Sequence, residues 1–321
     1  MNFNPILIVA GEPFSVFSEI VFKSLKLKKI KKPIILIVSK KLLIKQMEDL
    51  GFNFKINLIN KNKINFINLN NKKINLINVD FNFKNPFDKI SDKSNIYIEE
   101  CFNIAINILK KKKCAGLING PISKRNFLKN KFLGITEYLA KKTNKKNKVV
   151  MIIYNKKLSV SPITTHLPLK DVYKNLSKKR IIGQVKLIKE FYKKKFKINP
   201  QIAVTGLNPH CESNYNSSEE DNIIIPAIKY LRKKKFNVNG PFAADTIFIK
   251  EQSKKYNVIV GMYHDQVLTP VKTLFGFDAI NITLGLPFIR VSPDHGPNTL
   301  MLGRNQSNPQ SLIKALKFLD K

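Results

Sequence analysis

Tryptophan is absent from this chain of 321 residues, arginine occurs only at Arg125, Arg180, Arg232, Arg290 and Arg304, cysteine only at Cys101, Cys114 and Cys211, and glycine is sparse. Each scarcity excludes something. Three cysteines without a C-x-x-C pair leave no disulfide framework and point to a reducing compartment, so a cytoplasmic protein is expected. No apolar run approaches the ~20 residues that a membrane helix needs. The stretch from Ile6 to Ala10 is too short for the core of a signal peptide, and no membrane partner is expected. No G-x-G-x-x-G follows a strand-like run, so a Rossmann dinucleotide site is not supported. The formal charge is +35, but with arginine so rare nearly all of it is lysine, spread over helix faces, loops and an asparagine-rich middle. Base and phosphate recognition favours the planar arginine fork, so no nucleic-acid partner is expected. The joint excess of Lys, Asn, Ile and Phe reads instead as drift toward AT-rich codons.

What is present reads as a soluble, globular α/β chain. With 43% hydrophobic and 25% charged residues the length suffices for two domains. Short apolar runs, Ile6 to Ala10, Ile34 to Val38, Ala115 to Ile118, Val149 to Tyr154 and Leu158 to Thr164, alternate with helical patterns such as Ser18 to Leu27, Lys40 to Leu50, Ile96 to Lys112 and Arg180 to Lys194. That rhythm predicts parallel α/β architecture. Between Phe52 and Phe83 the pattern changes to alternation, INLIN at Ile56, INFIN at Ile64 and INLIN at Ile74, which predicts short strands. Lys141 to Lys148 is a polar stretch suited to a link.

Chemistry concentrates on histidine. Three of the four histidines follow β-branched runs: His166 in TTHLPL, His210 in TGLNPHCE and His264 in GMYHDQ. Each is expected at the carboxyl end of a strand, where open α/β sheets bind ligands. They lie too far apart in sequence for a zinc finger, and three neutral imidazoles converging on one point would form a divalent-cation site with positions left for water or substrate. Cys211 beside His210 points the other way on an extended segment and is read as a bystander.

The blocks GLNPH, NGPFAADTIF, MYHDQ, NITLGLPFIR and DHG, in this order and spacing, resemble the PdxA family, the 4-hydroxythreonine-4-phosphate dehydrogenases of pyridoxal phosphate biosynthesis. The likeness is close from Gly206 to Gly296 and weaker through GEP, NGPISK and GITEYLA. It implies two α/β/α domains of the isocitrate/isopropylmalate dehydrogenase type with the active site in the cleft between them. The first domain would span 1–127 plus about 298–321, and the second about 128–297. It also implies metal ligands at His166, His210 and His264, holding one zinc, magnesium or cobalt ion per subunit. Substrate contacts are implied at Thr136, Lys272, Asn281 and Arg290, and a homodimer whose metal ligands arrive from both chains. Asp245 and Asp265 are candidates for holding ligand imidazoles or relaying a proton. The segment Asp294 to Asn308 resembles the cofactor loop of the isocitrate and isopropylmalate dehydrogenases, with His295, Gly296 and Gly303 shaping a turn around the adenosine of NAD or NADP.

The activity implied is oxidation of 4-phosphohydroxy-L-threonine to a 3-oxo acid that decarboxylates to 3-amino-2-oxopropyl phosphate. Sister enzymes acting on phosphorylated four-carbon sugar acids share the blocks, and a basic binding protein on a decayed catalytic scaffold is a further alternative. The chain departs from the family pattern at several positions. Ser15 and Phe17 stand where glycines are usual, Ser18 where proline is, and Ser123 and Ile135 where histidines are. Lost charge-assisted hydrogen bonds of about 1.5–3 kcal/mol each would weaken substrate affinity.

Overall fold

The computed structural model describes all residues except 1–3, 28–29, 62–65, 67–68, 112, 130, 133, 146–147, 213–216, 277 and 294. In chain order the elements begin with β1 (Ile6–Val9), α1 (Phe17–Leu27), β2 (Ile34–Val38), α2 (Lys40–Asp49), β3 (Ile56–Leu58), β4 (Ile74–Asn78), α3 (Asn95–Lys111), β5 (Gly116–Asn119) and α4 (Ile135–Lys142). Then follow β6 (Val150–Tyr154), β7 (Ser159–Pro162), α5 (Lys178–Phe196), β8 (Ile202–Thr205), α6 (Ile225–Lys233), β9 (Val238–Phe242), α7 (Lys250–Ser253), β10 (Val258–Gly261), α8 (His264–Phe275) and β11 (Ile280–Leu284). The chain closes with β12 (Arg290–Pro293) and α9 (Gln310–Asp320). The strands around Ile56 and Ile74 form as their alternation predicts; Ile64, Asn65, Ile67 and Asn68 of the INFIN segment and Asp294 of the DHG block lie outside the described residues.

Two compact units result, Met1–Asn144 with Leu286–Lys321, and Lys145–Gly285. In the first, six strands run in the order β3-β4-β2-β1-β5-β12, every pairing parallel. Parallel strands covered on both faces must be apolar throughout. ILIV of β1 is accordingly buried at every position. In the second unit the order is β11-β6-β7-β10-β8-β9, with β6 antiparallel to both neighbours and the other pairings parallel. Serine caps start two helices: Ser39 accepts from Leu42 N at α2 and Ser177 from Arg180 N at α5.

The unit boundaries differ from those read in the sequence, near 127 and 297. Helix α4 stays with the first unit because Tyr138 and Leu139 are buried in the same cluster as Phe102, Leu117 and Leu128. A polar outer face hides that anchorage in the sequence. The return to the first unit comes at Leu286, before β12, since Arg290 and Val291 pair with Leu117 and Ile118 of β5.

Candidate active site

In the second unit, β10 lies between β7 and β8 and runs parallel to both, so three neighbouring strands end on one edge of the sheet. His166 follows β7, His264 follows β10 and His210 follows β8. The His166 and His264 rings are 5.4 Å apart, centroid to centroid. The carboxylate of Asp265 sits 2.7 Å from His264 Nδ1. A carboxylate accepts, so Nδ1 donates to it, which reserves Nε2 as the ring nitrogen a metal would use. His210 is not part of this ring pair. It occupies an exposed 3-10 turn, Pro209–Cys211, on a strand two positions from β7, and two strand spacings amount to about 10 Å. Among the described residues no group of three or more His, Cys, Asp or Glu gathers into a cation-sized cluster.

The backbone here is unusual. His166 and His210 both have φ of 55°, the left-handed region that costs a non-glycine residue about 1 kcal/mol or more and persists only where the surroundings enforce it. Part of that enforcement is visible at His210. The carboxylate of Glu220 accepts from Leu207 N and Asn208 N at 2.7 and 2.9 Å and from Asn208 Nδ2 at 2.8 Å. Burial pushes this carboxyl up, but the N–H groups outweigh it and hold it below the usual range. Asp245 is exposed. It lies close enough to Cys211 to raise that thiol, after burial and Glu220, and among the described residues no hydrogen bond between it and a histidine is seen.

Lys272 stands eight residues beyond His264 on α8, about 12 Å along the axis at 1.5 Å per residue, with its ammonium pKa lowered by burial. Asn281, on β11, gives one amide N–H to Met151 Sδ, while its buried Oδ1 has no hydrogen-bond partner. Buried polar atoms are seldom left so. An acceptor with nothing to accept fits a ligand donor.

The first unit holds the other predicted residues. Arg290 opens β12 and is only 1% exposed. Its Nε donates to Asn119 Oδ1 at 2.7 Å, and burial lowers its pKa to about 10 against the opposing charge of Glu137. Thr136 lies in the first turn of α4, beside Glu137. His295 Nδ1 is 2.9 Å from the Gly296 carbonyl, so this nitrogen donates and the buried Nε2 is an acceptor without a partner. Burial lowers the pKa of this imidazole. Gly303 turns with φ of 75° against the Phe87 ring, and Gly296 is exposed with open space around it.

The departures from the family pattern are absorbed by packing. Ser15 Oγ donates to Glu12 O at 2.8 Å, closing the turn that a glycine would otherwise make. Phe17 fills the core against Gly120, where an added Cβ would lie 2.7 Å from its ring, and stacks 6.2 Å from the His295 imidazole. Ser123 caps the turn at Lys124–Leu128, and Ile135 packs against the apolar core of its unit.

One residue of chemical interest escaped the sequence reading. Glu12 is buried, accepts from Ser94 Oγ at 2.8 Å, and has a second oxygen with no partner. Burial raises its carboxyl from 4.5 to about 7, against the lowering effect of Ser94 and the Ser123 backbone. The turn that carries it is tight: an added Cβ at Gly11 would lie 2.4 Å from Pro121 O. With only 22 acidic residues in the chain, a glutamate just beyond the apolar run that ends at Ala10 was the available signal.

The family model for the pyridoxal phosphate biosynthetic protein PdxA matches residues 29–319. A 4-hydroxythreonine-4-phosphate dehydrogenase from Sulfurihydrogenibium is 39% identical over 98% of this chain and 96% of that protein. Among solved structures, a 4-hydroxythreonine-4-phosphate dehydrogenase from Klebsiella pneumoniae superposes with a TM-score of 0.84 at 26% identity over 98% of each chain. Another of that name from Burkholderia phymatum gives 0.80 at 27% identity over 99% of this chain and 98% of that one. With a family model spanning most of its length and a relative aligned nearly end to end, the chain belongs to the PdxA family of oxidoreductases.

Proposed function

We propose that this chain oxidises 4-phosphohydroxy-L-threonine at C3, using NAD or NADP and a divalent cation, zinc, magnesium or cobalt, held by His166, His210 and His264. The observation that carries the reading is the His166–His264 pair with Asp265 on His264 Nδ1. That donor set suits a borderline cation, and it leaves positions for a hydroxyl and an amine. A cation held by these histidines would lower the pKa of the substrate hydroxyl, and a bound nicotinamide would supply the hydride acceptor.

The chain's own residues do the rest. Asp265 holds the His264 tautomer, and the exposed Asp245 is available to take the hydroxyl proton. Lys272 and Arg290 supply positive charge for phosphate and carboxylate, Thr136 a hydroxyl, and Asn281 Oδ1 an acceptor for an N–H or O–H of the substrate. His295, Gly296 and Gly303 shape the turn for the adenosine end of the cofactor. Loss of hydride from C3 and of the hydroxyl proton gives 2-amino-3-oxo-4-phosphooxybutanoate, a β-keto acid. Its carboxylate leaves as CO2 and C2 takes up a proton, giving 3-amino-2-oxopropyl phosphate. The working unit is a homodimer in the cytoplasm. Ile135, packed into the core where the family has a histidine, favours one second reading, a sister dehydrogenase of 4-phosphothreonate or its erythronate isomer.

The deciding experiment offers the purified chain 4-phosphohydroxy-L-threonine and 4-phosphothreonate, each with NAD and NADP, and follows reduced nicotinamide. A kcat/KM at least tenfold higher for the amino acid supports the proposal. Preference for the sugar acid selects the second reading, and no turnover of either contradicts both.

A further inference from the structure

Gln266 lies two residues beyond His264 and is 8% exposed. Its side-chain amide uses three bonding positions. Oε1 accepts from Met262 N at 2.7 Å and from Thr205 Oγ1 at 2.8 Å, and Nε2 donates to Gly206 O at 2.8 Å. Met262 precedes His264, Thr205 ends β8, and Gly206 follows it on the way to His210. One amide therefore ties the backbone entering two histidine turns. Met262 also reaches the third: its carbonyl accepts from Thr164 N at 3.2 Å and from Thr164 Oγ1 at 2.8 Å, and Thr164 lies two residues before His166.

The surroundings are shaped for this amide. An added Cβ at Gly261 would lie 2.9 Å from Gln266 Oε1 and 2.3 Å from Val267 Cγ1. At Gly206 it would meet Cys211 Sγ at 2.8 Å and Glu220 Oε1 at 2.9 Å. Neither site tolerates a side chain while the amide and its neighbours stay in place. Thr164, Thr205 and Met262 are all buried, so water does not compete for these bonds. Two of the three histidines hold left-handed backbone, a conformation that reverts unless its flanks are fixed.

From this geometry we infer that Gln266 is a positioning residue for the cation ligands: it fixes the spacing of the three histidine turns, with Thr164 completing the tie to His166. The inference rests on the reading that these histidines hold a divalent cation. A leucine at 266 keeps the volume but loses all three bonds. A glutamate keeps the acceptor and loses the donor to Gly206 O. Supporting groups around metal ligands typically change affinity on the order of 10–100-fold, so graded effects are expected.

The test is titration of full-length protein with Co2+, reading the dissociation constant and the visible cobalt absorption bands, for wild type, Gln266→Leu, Gln266→Glu and Thr164→Val. Thermal unfolding is recorded alongside. The expected result is a Co2+ dissociation constant raised on the order of tenfold or more in Gln266→Leu, less in Gln266→Glu and Thr164→Val, with altered bands, since band position reports ligand geometry and not general stability. Should Gln266→Leu fail to fold, Thr164→Val removes a single hydroxyl by an isosteric change and decides the case. Wild-type affinity and bands in the folded variants overturn the positioning role alone. A His264→Ala variant that binds Co2+ as well as wild type overturns the cation reading and the inference with it.

Discussion

Replacing Glu12 by glutamine should uncouple the stability of this protein from pH across a defined window. The carboxyl is 1% exposed and its pKa is raised by burial from 4.5 to about 7. Between those values the native state holds a proton that the unfolded chain has released. Stability therefore falls as pH rises, because the slope follows the protons bound in the unfolded state minus those bound in the native one. Below 4.5 both states are protonated and the penalty is absent; above about 7 both are ionised and the penalty is complete. At about 1.4 kcal/mol per pH unit, the rise amounts to about 3 kcal/mol. Glutamine keeps the shape and does not titrate. It leaves an amide beside the oxygen position that lacks a partner, but this cost is the same at every pH and cancels when two pH values are compared. Urea denaturation of both proteins at several pH values from about 4 to about 8 measures the effect. The variant should gain roughly 2–3 kcal/mol on wild type over that range. Parallel stability curves would refute the buried, proton-holding assignment of Glu12.

Arg290→Lys should lower substrate affinity while sparing the cofactor. Lysine has no counterpart of the Nε–H that Asn119 accepts, and leaving that amide oxygen buried and unmatched costs about 1–3 kcal/mol. Steady-state kinetics should show KM for the phosphorylated substrate rising on the order of tenfold with KM for NAD unchanged; equal changes in both would assign Arg290 to the fold. Phe17→Ala removes a ring that is 1% exposed and stacks on His295. It should cost about 3–5 kcal/mol in urea denaturation, and a loss under about 1 kcal/mol would show that the departure from glycine carries no packing role.

Much of the architecture was legible because the strands that matter are buried on both faces and read as unbroken apolar runs: ILIV, IILIV, VIVG. Direction was legible only in part. The short connection from β6 to β7 allows only an antiparallel hairpin, but the antiparallel pairing of β6 with β11 joins partners distant in sequence. The place of α4 escaped for a related reason, since its anchor is three consecutive buried residues, Tyr138, Leu139 and Ala140, whose partners in the first unit lie far off in sequence. At the site, histidine could be read because it is rare and follows strand ends. Gln266 and Glu220 could not, since what distinguishes them is the set of groups they reach: Thr205 and Gly206 lie 61 and 60 residues from Gln266, and Leu207 and Asn208 lie 13 and 12 residues from Glu220. Glu12 stood in plain view as a scarce acid after a buried strand, but its burial only becomes evident when Ser94, the Pro121–Ser123 backbone and the Leu42, Leu43 and Gln46 side chains of α2 are in place around it.

Dehydrogenase activity after removal of divalent cations tests the central reading most directly. The chain is stripped with a chelator, assayed with 4-phosphohydroxy-L-threonine and NAD or NADP, and assayed again after zinc, magnesium or cobalt is restored, with His166→Ala and His264→Ala treated alike. The expected result is loss of turnover on stripping, recovery on restoration in wild type, and no recovery in either variant. Stripped protein that keeps its full rate, or histidine variants that turn over like wild type, would contradict a cation held at these histidines.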